Sequence, residues 1–202
     1  SSFCKFLIDD TSRFSHLYGN RLANHLPMSL IALDAMGATE WQLRSFTEFY
    51  QKRLEIRDTK VAHSISNIPD MLWKRDYFED AVSFFLQKIH NSSIHTVLTE
   101  NIDLLAPGIS ASAFHALIRL SYGVETQSSN EVAMWLAYLT TEYQSVGEPS
   151  GWSNDTFEDC MNRANDIVWK IDIDPSGIIV DRIHRVSHSD LFRPFLTIPA
   201  DI

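Results

Sequence analysis

The residues best equipped for chemistry are eight histidines, and two stretches give some of them context. The first is His115-Ala116-Leu117-Ile118-Arg119-Leu120-Ser121-Tyr122, where an imidazole, a guanidinium and a phenol recur at i, i+4 and i+7. That spacing stacks the three on one face of a helix. The surrounding run, Ile109 to Glu125, is apolar around nearly its whole circumference, which predicts a central helix over about residues 110–123 enclosed by other helices. A polar group buried without a partner costs about 1–3 kcal/mol. Neighbouring helices, a metal or a ligand must therefore satisfy His115, Arg119 and Tyr122. The second stretch is Asn24-His25-Leu26-Pro27. Pro27 belongs in the first turn of a helix, where its missing N–H is not needed, so His25 stands at that helix's entrance. The positive helix end disfavours an imidazolium and leaves His25 as the neutral ring that metals bind.

The other histidines carry weaker signals. His184 and His188 form an i, i+4 pair, but Arg185 rather than glutamate follows His184, so metalloprotease chemistry is not supported. His90 sits near a helix C-terminus, where a cation suits the dipole, and His63 and His95 have no informative surroundings. There is no glycine-rich phosphate loop, no Cys-x-x-Cys and no Gly-x-Ser-x-Gly elbow. Asp9-Asp10 and Glu158-Asp159 read as solvated helix ends or faces.

The elements that must position these residues are helical. Leu22, Leu26, Ser29, Leu30 and Leu33 keep a helix period over 12–36, with Gly37 as the stop. Thr39-Glu40-Trp41-Gln42 is a capping box that opens a second helix, and Asp76-x-x-Glu79 is another, ahead of the stripe Phe78, Ala81, Val82, Phe85, Ile89. Residues 56–69 read as a connection. Ile94 to Leu105 form a helix that Pro107-Gly108 ends, and Ser128 caps the next. Phe157, Cys160, Met161, Ala164 and Val168 give a last clear stripe. Ile171–Val186 stays open: Asp174-Pro175 suits a helix start, while Ile178-Ile179-Val180 is β-branched. No period-two pattern is sustained. The class is mainly α, a single multi-helix domain over 1–202 with a loop or subdomain break at 146–154.

With 17 basic and 26 acidic residues the net charge of −9 speaks against a nucleic-acid binder and an anionic membrane surface. No apolar run reaches the roughly 20 residues a membrane helix needs. Cys4 and Cys160 make neither a disulfide framework nor a zinc spacing, so free thiols in a cytoplasmic protein are expected.

Three stretches in series carry a family resemblance. Asn24-His25-Leu26-Pro27-Met28-Ser29-Leu30 running to Gly37-Ala38, with Tyr50 on the next helix, resembles the opening motif of the questin oxidase-like family. His115-x-x-Ile118-Arg119 with Tyr122-Gly123 resembles that family's His-x-x-Ile-Arg segment. Glu131-Val132-Ala133 to Leu136-Ala137-Tyr138, with Tyr143, resembles the helix that follows. The resemblance implies a largely α-helical, O2-dependent oxidoreductase acting on an aromatic, polyketide-like small molecule. It makes His25 and His115 ligands of non-haem iron, with no cofactor where the metal site has been lost. In that setting Tyr122 is a catalytic proton donor or acceptor, and Arg119 holds an anionic phenolate or carboxylate of the substrate. A facial-triad iron site needs three protein ligands, and this sequence identifies two. The rival is a non-catalytic helical binding or assembly protein that keeps the family core without a metal. A third reading is a helical oxidoreductase using flavin or no cofactor. Neither nucleic acid nor membrane is an expected partner, and a homo-oligomer is compatible with the sequence.

Overall fold

The computed structural model describes residues 1–147, 151–171 and 176–199, with nine α-helices and two very short strand pairs among them. Helix α1 spans Ser2–Thr11 and is capped by the Ser1 hydroxyl, which accepts from the Cys4 N–H at 3.2 Å. A hairpin of β1 (Leu17–Tyr18) and β2 (Leu22–Ala23) follows, and then α2, Leu26–Ala35. The long helix expected over 12–36 is thus only its second half. Gly19 and Arg21 take left-handed backbone angles, φ +54° and +60°, which turn the chain back on itself before a helix can start. The helix entrance at His25 and the early Pro27 fall where the sequence puts them.

Helix α3, Glu40–Tyr50, opens on the expected capping box, with both Thr39–Gln42 bonds formed. Helices α4 (Phe78–Asn91) and α5 (Ile94–Leu105) come next. Asp76 does not cap α4, because Arg75–Tyr77 already forms a 3-10 turn that runs straight into it. Instead Asp80 accepts from the Ala62 and His63 N–H groups at 2.8 and 2.6 Å and pins the 56–69 connection.

Helix α6 is His115–Thr126 and α7 is Ser129–Thr141, capped by Ser128. The helix enclosed on every side is α7, buried at each residue from Glu131 to Thr141. This corrects the expectation for about 110–123. On α6, Leu117 and Ile118 are 37% and 44% exposed, so α6 flanks the centre. Gly123 allows α6 to lie close to α7: a Cβ there would stand 3.2 Å from the Val132 nitrogen. Helices α8 (Phe157–Ile167) and α9 (Ile179–Ser187) complete the set, and β3 (Trp152–Ser153) pairs in parallel with β4 (Ile198–Pro199). The segment left open at 171–186 is helical from Ile179 on. Asp174-Pro175 and part of the 146–154 break lie outside the described residues. No helix among the described residues is long and apolar enough to cross a membrane.

The apolar interior forms two clusters. One gathers α4, α5 and α7 around Phe85, Val97, Leu105 and Trp135; the other gathers α1, α2 and α3 around Ile8, Leu26, Leu30 and Leu43. The two stretches singled out by their chemistry lie where these clusters meet.

Candidate functional site

The structure brings His25 and His115 together. Their rings are 4.9 Å apart between centroids and nearly perpendicular, at 88°. His25 stands at the mouth of α2, placed there by Pro27, and its backbone N–H donates to the Tyr50 hydroxyl at 3.2 Å. Its Nδ1 is 2.6 Å from the Ala23 carbonyl oxygen. His115 is the first residue of α6, with Nδ1 2.6 Å from the Ser112 carbonyl oxygen. A carbonyl can only accept, so each Nδ1 must carry the proton and donate it. In a neutral ring this leaves Nε2 with the lone pair. A backbone acceptor at Nδ1 fixes both the tautomer and the orientation of the ring. Burial, the strongest influence on His25, pulls its pKa below the ordinary value, with the charges of His115 and Arg119 acting in the same direction. The ring is neutral at neutral pH, the form that ligates.

His115 owes its position to an unusual approach. Ser112, Ala113 and Phe114 all take left-handed angles, φ +50°, +55° and +66°. Such backbone costs non-glycine residues about 1–2 kcal/mol each. The turn aims the Ser112 carbonyl at the His115 ring, while the Ser112 side chain bonds the Tyr138 hydroxyl. Burial raises the Tyr138 pKa to about 12, so it stays a phenol.

Both histidines line a cavity of about 180 Å3. Tyr18 and Arg21 of the hairpin, Tyr138 of α7 and Ile178–Val180 at the start of α9 supply much of the remaining wall. Sequence reasoning missed these contributors. The turn-forming pair Gly19-Asn20 and the β-branched run 178–180 were visible, yet neither carries a chemical signature of its own.

Arg119 and Tyr122 do not line this cavity. Arg119 is 1% exposed and lies over the Trp135 ring. Its Nη1 donates to the Asn24 carbonyl and its Nη2 lies 3.3 Å from Glu131 Oε2, which also accepts from Trp135 Nε1 at 2.8 Å. Arg119 Nε and Glu131 Oε1 have no hydrogen-bond partner among the described residues. Burial lowers the Arg119 pKa to about 10, with Glu131 opposing the shift, so the guanidinium stays charged at neutral pH. Tyr122 packs against the α1–α2–α3 cluster. His184 and His188 are in tilted ring contact with centroids 4.1 Å apart, His184 beside Trp73. Among the described residues no group of three or more His, Cys, Asp or Glu is arranged to hold a metal. His25 and His115 are thus a pair of neighbouring imidazoles without a third such donor among the described residues.

Comparison with known proteins gives two matches. The residue pattern of the questin oxidase-like family matches residues 22–194. A Baeyer-Villiger oxidase of Paecilomyces divaricatus, AgnL3, is 27% identical over 146 residues, which is 64% of this chain and 32% of that protein. The chain thus spans about a third of the length of the curated relative it matches. No solved structure matches the chain.

Proposed function

The chain belongs to the questin oxidase-like family, and from that premise we propose that it works in an O2-dependent oxidation of an aromatic, polyketide-like small molecule. The relative whose name describes a Baeyer-Villiger oxidase supports the oxidative side of this reading. One observation carries it at atomic scale: two neighbouring imidazoles have both Nδ1 atoms fixed on backbone carbonyls and both Nε2 atoms left as acceptors. In this reading His25 and His115 hold a first-row metal, iron on the family resemblance. Imidazole suits that class of ion, and the metal would supply the activation of O2.

The chain's own residues do the rest. Ala23 and Ser112 hold the two rings in one tautomer. Leu17, Leu22, Ile178 and Ile179 give the cavity apolar walls that favour a ring system over water. Tyr18 and Tyr138, which line the cavity, are better placed than Tyr122 to hold or pass a proton at the substrate. Arg119 acts from beneath: its bond to the Asn24 carbonyl ties α6 to the entrance of α2 and so keeps His115 facing His25. A non-catalytic scaffold keeping the same core is the second reading, favoured by the two-ligand count.

Elemental analysis of protein purified without chelator separates the two. Near-stoichiometric iron in the parent, lost in both His25→Ala and His115→Ala, is expected. Absence of metal from parent and variants alike would leave the scaffold.

A further inference from the structure

We propose that Arg21 is the anion anchor of the cavity, and that the site selects an aromatic substrate in its anionic form, a carboxylate or phenolate. The proposal rests on the cavity being the substrate site. Among the described residues lining it, Arg21 is the only arginine or lysine. No acidic side chain lines that wall.

The local charge balance leaves a surplus cation. Arg21 Nη2 lies 3.0 and 2.8 Å from the two oxygens of Glu142, and Arg75 Nε lies 2.9 Å from one of them. Two guanidiniums thus face one carboxylate, for a net charge of +1. Only one nitrogen of Arg21 is committed to Glu142. Among the described residues its Nε and Nη1 donors have no protein acceptor, which leaves them as donors for a ligand oxyanion beside the Glu142 contact. The Glu142 carboxylate is 3% exposed, so its side of the contact is fixed, while the Arg21 side chain remains 35% exposed.

The backbone tells the same story. Arg21 occupies a left-handed position, φ +60°, in a turn where glycine would carry no strain. A bulky residue kept at such a site points to a role for its side chain. The bond to Glu142, at the end of α7, fixes the guanidinium of this cavity-lining residue.

The test compares two probes of like shape and different charge, 2-naphthoate and its neutral amide, by calorimetric titration of the intact chain. The parent is expected to bind the carboxylate at least about tenfold more tightly, a difference of about 1.4 kcal/mol. Arg21→Gln should erase that preference, Arg21→Lys should keep part of it, and Arg75→Gln, which leaves Arg21 and Glu142 as a neutral pair, should weaken it. Equal binding of the two probes by the parent, or binding of neither, overturns the proposal without need of any variant. A preference that survives Arg21→Gln and disappears in His115→Ala also overturns it, because the charge would then lie at the histidine pair. Metal content, measured separately, reports on the oxidoreductase reading, so the two failures are distinguishable.

Discussion

At the scale of single residues, the protein shows how burial sets what a titratable group can do. His16 lies outside the cavity, stacked on Phe78 with centroids 3.6 Å apart and edge-on to Tyr138 at 4.9 Å. Its Nδ1 is buried without a hydrogen-bond partner among the described residues. Burial, with Arg119, Arg57 and Arg21 adding repulsion, lowers its pKa from 6.5 to about 3. The unfolded chain therefore takes up this proton first. The stabilisation is complete above about pH 6.5 and is lost as pH falls towards 3. His16→Phe keeps the ring stack and removes the titration, so its melting temperature should fall less than the parent's between about pH 7 and about pH 4.5. His25, shifted in the same direction, remains and preserves part of the slope. Parallel pH profiles in parent and variant would rule His16 out as the source.

Among elements, local signals were legible and tertiary ones were not. The Thr39–Gln42 box and the entrance at His25 could be read because their bonds close within a few residues, or because Pro27 admits only one place in a helix. The proximity of His25 and His115 was legible as two chemical residues inside apolar segments. The β1–β2 hairpin escaped because two-residue strands are too short for an alternation to register. Helix α7 did not look central because Glu131, Thr140, Thr141 and Glu142 read as polar. Its burial depends on Arg119 reaching across from α6 and on Arg21 and Arg75 meeting Glu142. The approach to α6 was wholly hidden, since Ser112-Ala113-Phe114 contains no residue that favours left-handed backbone. That strained turn makes its own prediction. Ala113→Gly relieves the left-handed penalty and should raise the unfolding free energy by about 1 kcal/mol in urea. The same freedom should loosen the Ser112 carbonyl from His115 and weaken metal retention. Stability and metal affinity moving in opposite directions would mark the turn as built for the site. A less stable glycine variant would show that position 113 carries no such strain.

For the molecule as a whole, the site is a seam. His25 begins α2, which belongs to the cluster with α1 and α3, while His115 begins α6, which packs on α7 in the other cluster. The bond from Arg119 to the Asn24 carbonyl is one tie across that seam, and a metal on the two histidines would be a second. A ligand that binds only the folded form stabilises it by about 2.7 kcal/mol at a hundredfold excess over its dissociation constant. In a chain of this size each kcal/mol moves the melting temperature by about 2–4 °C. Iron(II) added anaerobically to metal-stripped protein should therefore raise the melting temperature by about 5–10 °C in one cooperative step. The rise should vanish in His25→Ala and in His115→Ala alike, because either loss cuts the bridge, and should persist in His184→Ala, whose ring lies against His188 beside Trp73. A shift that ignores His25 while depending on His184 would move the metal to α9 and leave the seam without a metal bridge.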